Sequence, residues 1–98
     1  MRGFRVLEAA HATEALQLLH VHADDVHLLF TDIHMPGEIN GLALAHHTRS
    51  QWPWIAVLIA SGRPAPGLHE MPAGSRFLPK PYHPHMVVTH ARELVGPR

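Results

Sequence analysis

The sequence contains no cysteine, no long apolar run and no excess of either charge, and each of these absences excludes a class of protein. Without cysteine, the chain can form neither a disulfide framework nor a zinc site with thiolate ligands. The longest apolar run is far too short to cross a membrane. Eight basic and eight acidic side chains cancel, so no net charge steers the chain towards nucleic acid or an anionic membrane. We therefore expect a soluble cytoplasmic protein that has no membrane partner and binds no nucleic acid by itself.

Apolar residues follow strand and helix periods in turn along the chain. These periods predict strands at 4–9, 26–32, 55–60 and 76–78, and helices beginning at Ala12, Leu42 and Pro84, the last of which reaches Val95. A polar turn is expected at 20–25, between the first helix and the second strand. Residues 63–74 carry three prolines, so a short or irregular segment is expected there. Alternating strands and helices predict an α/β fold with a parallel sheet and right-handed crossovers. The sequence shows no internal repeat and no long linker, which predicts a single domain over residues 1–98.

The strand predicted at 26–32 ends in an acid, Asp32. Leu28 to Phe30 is continuously apolar, as expected of a parallel strand that is covered on both faces. In open parallel sheets, ligands bind beyond the carboxyl ends of the strands, so Asp32 is placed for chemistry. The alternative is that Asp32 only caps the following loop, because Asp is common at such turns.

Three short motifs follow one another along the chain: Asp32 with Met35-Pro36-Gly37, Ser61 in the triplet Ala-Ser-Gly, and Lys80-Pro81 after the last predicted strand. In order, spacing and strand context they resemble the motifs of the receiver domain of two-component response regulators. The resemblance covers about residues 4–95. It implies a flavodoxin-like parallel sheet flanked by helices.

The resemblance also implies a role for each motif. Asp32 would accept a phosphoryl group from a histidine kinase or a phosphotransfer protein, with Mg²⁺ as cofactor. Lys80 would supply a fixed positive charge and Ser61 a hydroxyl to the phosphoryl oxygens. The Lys80-Pro81 peptide bond is a candidate for the cis form. Such a chain is a phospho-acceptor signalling domain rather than an enzyme.

Two aromatic residues near Lys80 are weaker candidates. Phe77 stands where receivers carry a switch aromatic that moves together with the strand-end hydroxyl, here Ser61. Because phenylalanine has no polar tip to favour an outward position, we favour simple core packing for Phe77. Tyr82 is expected only as a surface contact.

The resemblance lacks the family's beginning. A full receiver opens with a hydrophobic strand that ends in two adjacent acids, which hold Mg²⁺, and with a helix after it. The sequence starts near the second strand, so we expect an N-terminally truncated receiver with four strands. Of the expected metal ligands, Asp32 and the backbone carbonyl of His34 remain. The adjacent acids Asp24-Asp25 precede the strand of Asp32 and fall at the wrong end of the sheet. Weak or absent Mg²⁺ binding and slow phosphotransfer are therefore expected.

Two functions stay open at this point. The first is a phospho-acceptor receiver, and the second is a degenerate or truncated receiver that acts as an interaction or dimerisation module without phosphorylation. Without the usual first strand, either the strand at 4–9 lies directly beside the strand at 26–32, or a second chain supplies a strand. One face of the sheet would keep a single helix, which predicts a homodimer.

Eleven histidines raise the alternative of a metal site. His46 and His47 are neighbours on a predicted helix and point about 100° apart, so they cannot easily share one ion. No pair of histidines four residues apart lies next to an acid, as a zinc site on a helix needs. Solvated or capping histidines are therefore expected, with His83 at the start of the last helix.

Overall fold

The computed structural model describes residues 5–35, 37, 39–62 and 70–96. Within them, strands and helices alternate as the sequence predicts, which confirms the α/β class. The strands are β1 (Val6–Ala9), β2 (Leu28–Asp32), β3 (Ala56–Ser61) and β4 (Arg76–Pro79). The helices are α1 (Ala12–His22), α2 (Gly41–Gln51) and α3 (Pro84–Val95), with a short 3-10 turn, Ala23–Asp25, after α1.

The four strands form one parallel sheet in the order β1-β2-β3-β4. β1 lies directly beside β2, with Val6 paired to Leu28 and Ala9 to Thr31. This is the first of the two arrangements expected from the sequence. All the strands run the same way, so their carboxyl ends meet at one edge of the sheet.

The core has two parts, one on each face of the sheet. α1 and α2 cover one face and bury residues such as Leu19, Leu29 and Leu44. Within the described residues, α3 covers the other face, where Leu58 and Leu78 are buried. Because one helix covers less of a sheet than two do, this second face keeps apolar side chains at its margin.

Local sequence signals fix the helix ends. The side chain of Asn40 caps α2 by accepting a hydrogen bond from the backbone N–H of Ala43, at 2.9 Å. Pro53 follows α2 and cannot continue it. Pro84 is the first residue of α3, where its missing N–H costs nothing.

Some boundaries differ from the predicted ones. α1 continues to His22, although a polar turn was predicted from His20. β2 begins at Leu28 rather than at residue 26, because Val26 still belongs to the turn and donates its N–H to the carbonyl of Ala23, at 3.1 Å. Of the segment predicted to be irregular, residues 63–69 lie outside the described residues.

Candidate functional site

Asp32 and Lys80 form an ion pair at the carboxyl edge of the sheet. The Nζ atom of Lys80 lies 2.7 Å from Oδ1 of Asp32, and the two side chains are 43% and 40% exposed. Asp32 is the last residue of β2, and Lys80 follows the last residue of β4. Two residues that are 48 positions apart in the sequence are thus joined at the edge where ligands bind in parallel sheets.

The ion pair changes the protonation of the lysine. The hydrogen bond to Asp32 raises the pKa of Lys80 above its ordinary value of 10.5, the negative charge of Asp32 acts in the same direction, and partial burial opposes both. Lys80 therefore keeps its positive charge throughout the physiological range.

The backbone around Asp32 is fixed by close contacts. Ile33 donates its N–H to the carbonyl of Ala60 at 3.1 Å, and Gly41 donates its N–H to the carbonyl of Ile33 at 2.7 Å. A Cβ atom on Gly41 would lie 1.7 Å from the carbonyl oxygen of Asp32. Only a glycine at the start of α2 permits this approach, so Gly41 sets the distance between α2 and the site.

Thr31 supports the same turn from the buried side. Its hydroxyl donates to the carbonyl oxygen of Asp32 at 2.9 Å and lies 3.5 Å from the sulfur of Met35. Thr31 is 2% exposed. No role for Thr31 or Gly41 was predicted from the sequence. The sequence did carry a signal for both: Thr31 precedes the strand-end acid, and Gly41 begins the following helix.

Ser61 and Phe77, the two predicted switch residues, lie in different surroundings. Ser61 is buried at the end of β3, and its carbonyl accepts the N–H of Lys80 at 3.0 Å. This bond ties the backbone of Lys80 to the strand beside Asp32. Phe77 is half-buried and packs against the core on the face of α1 and α2. Its packing agrees with the core position favoured from the sequence, and a switching role for Phe77 stays a prediction.

An open cleft of about 700 Å³ lies beside the ion pair and is lined by Gly62, Lys80, Pro81 and Tyr82. The Lys80-Pro81 peptide bond is cis, as predicted. Tyr82 is half-buried and packs edge-on against Phe30, with ring centroids 5.9 Å apart. Tyr82 thus lines the cleft at the surface and also packs against the core on the α3 face, a contact that was not expected from the sequence.

A family model described as the response regulator receiver domain matches residues 1–92. The chain belongs to this family. It is 31% identical over 97 residues to the sensor kinase CckA of Brucella abortus (strain 2308). The aligned region covers 96% of this chain and 10% of that kinase. The receiver domain thus spans about a tenth of the length of this curated relative.

Solved structures carry the same fold. A signal receiver domain of an HD domain-containing protein from Pseudomonas fluorescens Pf-5 is 26% identical and superposes with a TM-score of 0.70, over 89% of this chain and 65% of that one. A response regulator receiver domain protein from Clostridium thermocellum gives a TM-score of 0.75 at 21% identity, over 95% of this chain and 75% of that one, and supports the fold alone. The predicted flavodoxin-like receiver fold is confirmed.

Receiver domains as a family bind Mg²⁺ at the phosphorylation site, so the oxygen donors around Asp32 are the groups to compare with the needs of such an ion. A second cavity, of about 40 Å³, is lined by Asp32, Glu8, Thr31 and Tyr82 among others. Its donor set, two carboxylates, has the oxygen chemistry that Mg²⁺ prefers. Within the described residues, no three His, Asp or Glu side chains form a metal cluster. The carbonyl of His34 as a ligand stays a prediction.

Asp24, Asp25 and His83 do not line this cavity. Asp24 and Asp25 are exposed in the turn that precedes β2, at the opposite end of that strand from Asp32. His83 is the N-terminal cap residue of α3, as predicted, and its ring stacks on His85 at 5.4 Å. In the part of the chain that the structure describes, no helix is long and apolar enough to cross a membrane.

Proposed function

We propose that Asp32 accepts a phosphoryl group from a histidine kinase or a phosphotransfer protein. The observation that carries this proposal is the 2.7 Å ion pair between Lys80 and Asp32 at the carboxyl edge of the sheet. A carboxylate can act as the nucleophile, and the charge that develops on the phosphoryl oxygens needs a fixed cation beside it. Lys80 is such a cation, and its raised pKa keeps it charged.

The transfer forms a bond between a carboxylate oxygen of Asp32 and phosphorus. The phosphorus–nitrogen bond of the donor's phosphohistidine breaks, and the imidazole nitrogen keeps the electron pair. Lys80 then contacts a phosphoryl oxygen in place of the carboxylate, and the hydroxyl of Ser61 can donate to another. A Mg²⁺ ion, when bound, neutralises part of the phosphoryl charge. The aspartyl-phosphate alters the surface near β3 and β4 and so passes the signal on.

Incubation with acetyl phosphate and Mg²⁺, followed by intact mass, tests the proposal. We expect slow addition of one phosphoryl group, lost in Asp32→Asn and strongly reduced in Lys80→Met. Asp24→Asn is the matched control, because it removes an exposed acid at the other end of β2. Labelling that survives in Asp32→Asn would contradict the assignment.

A groove on the α3 face favours the second candidate function, self-association. The groove lies between β1 and α3, has a volume of about 400 Å³, and is lined by Val6, Phe30, Val87 and Val88 among others. Val6 is 44% exposed and Val88 is 42% exposed. The same patch thus carries both a groove and exposed valines. In an isologous dimer the same patch of both copies meets, so it has to be complementary to itself, as a groove beside exposed valines can be. We propose a homodimer in which the Val88 of each copy enters the groove of the other.

Sedimentation velocity at high micromolar concentration tests the dimer. The wild type should sediment as a dimer and Val88→Asp as a monomer. Val21→Asp is the matched control, since Val21 is 74% exposed on α1, on the opposite face of the sheet. A well-folded wild type that stays monomeric would refute this function.

A further inference from the structure

Direct pairing of β1 with β2 brings a second carboxylate to the site of Asp32. Glu8 of β1 pairs with Phe30 of β2. Residues paired across neighbouring strands project to the same face of the sheet, and residues two apart along one strand also share a face. Glu8, Phe30 and Asp32 therefore all project to the α3 face.

The cavity of about 40 Å³ described above confirms this placement, because both Glu8 and Asp32 line it. Neighbouring strands lie about 4.8 Å apart, so one more strand between β1 and β2 would move Glu8 out of this cavity. The shared cavity therefore depends on the direct pairing of β1 with β2.

The charges at the cavity favour a divalent cation. Lys80 contacts one oxygen of Asp32, Oδ1, and its single positive charge balances one of the two carboxylates. The second carboxylate, Glu8, leaves an excess negative charge at the carboxyl edge of the sheet. Mg²⁺ commonly binds through one or two carboxylates, keeps several waters and takes up phosphate oxygens. A pair of carboxylates at a shared cavity matches this requirement.

We propose that Glu8 is a second carboxylate ligand of the divalent cation at Asp32. The proposal rests on the function proposed for Asp32 and adds to it the identity of the second acid. A Glu8 side chain that is merely solvated at the edge of β1 is the competing outcome.

Calorimetric titration with MgCl₂ alone tests the ligand role. Glu8→Gln keeps the length and shape of the side chain but removes its charge, and we expect it to weaken Mg²⁺ binding by about tenfold or more. Glu14→Gln is the matched control, because Glu14 is an exposed acid in the first turn of α1, and its affinity should equal that of the wild type. Equal affinities of the wild type and Glu8→Gln, or no Mg²⁺ binding by the wild type, would overturn the proposal.

Paramagnetic broadening by Mn²⁺ gives a second readout that needs no phosphorylation. The amide signals of residues 8 and 32 should broaden first in the wild type, and the broadening at residue 32 should weaken in Glu8→Gln. Broadening confined to residues 24 and 25 would place the ion at the other end of β2 and overturn the proposal. Labelling of Asp32 by acetyl phosphate distinguishes a failure of the ligand role from a failure of the proposed function. If Asp32 is labelled but Mg²⁺ affinity is the same in the wild type and Glu8→Gln, the proposed function is supported and the ligand role of Glu8 is refuted.

Discussion

Lys80 contacts Asp32 at 2.7 Å although Asp32 ends β2 and Lys80 follows β4, two strands that are separated by β3. Both side chains are more than a third exposed, and exposed ion pairs contribute only about 0–1 kcal/mol to stability. The pair therefore contributes little to holding the sheet together, and we assign its main role to the phosphoryl transfer proposed for Asp32. The lysine is also the only one in the sequence, which makes its titration easy to follow.

The first prediction is that Asp32→Asn lowers the pKa of Lys80. The hydrogen bond to Asp32 is the main reason why this pKa lies above 10.5, and an amide oxygen without charge replaces it only in part. Titration of the single lysine side chain by NMR measures the shift. A pKa that is the same in both proteins would show that the ion pair does not persist in solution.

The sign of the pKa shift also predicts a pH dependence of stability. Because the pKa of Lys80 is raised in the folded state, the ion pair stabilises the fold below the unfolded pKa of about 10.5, and this contribution is lost as the pH rises through the folded pKa. The free energy of unfolding of the wild type should therefore approach that of Asp32→Asn above this range. A gap between the two proteins that stays constant through this pH range would contradict the argument.

The third prediction concerns Gly41, at which an added Cβ would meet the carbonyl of Asp32. The Cβ of an alanine would lie 1.7 Å from that oxygen, so α2 or the turn has to move. We expect Gly41→Ala to lower the free energy of unfolding by about 1–3 kcal/mol or more, because overpacking forces the backbone to shift. Gly62→Ala is the matched control, since its Cβ would make ordinary contacts of 3.8 Å with Lys80. Urea denaturation measures both, and equal losses would refute the steric account.

Much of the fold could be predicted from the sequence because its signals are local. α3 has the predicted bounds, since Pro84 starts it and the apolar stripe runs to Val95. Asp32 and Lys80 could be placed at one edge because parallel strands end there together. The family resemblance, which the family model confirms, added the cis Lys80-Pro81 bond and the roles proposed for the site residues.

Contacts between distant residues could not be predicted in this way. From the sequence, either β1 lies directly beside β2 or a second chain supplies a strand. Only the first arrangement, which the structure shows, brings Glu8 to the cavity of Asp32. α1 continues past the predicted polar turn, where the ring of His20 lies edge-on to the ring of Trp52 at 5.3 Å. The local pattern around residue 20 carries no sign of this contact, because Trp52 follows a different helix.

The fourth prediction concerns the core on the face of α1 and α2. Leu29 lies in β2 and is fully buried in this core. Leu29→Ala should lower the free energy of unfolding by about 2–5 kcal/mol, because it removes buried methyl groups and leaves a cavity. Leu18→Ala removes the same atoms from a side chain that is 46% exposed on α1, and should change stability by about 0.5 kcal/mol or less. Chemical denaturation that gives the two variants equal stability would place Leu29 outside the core.

The last prediction compares the cap residues of two helices. Asn40 and His83 both have extended backbone at the start of a helix, but only the side chain of Asn40 makes a cap hydrogen bond, to the N–H of Ala43 at 2.9 Å. Asn40→Ala leaves this N–H without its side-chain partner and should cost about 1 kcal/mol of stability. His83→Ala removes no such bond and should cost less than about 0.5 kcal/mol. Since Asn40 also precedes Gly41, Asn40→Ala should slow the labelling of Asp32 by acetyl phosphate, whereas His83→Ala should leave it unchanged. If urea denaturation shows the two variants losing equal stability, the cap bond contributes nothing and α2 depends on packing alone.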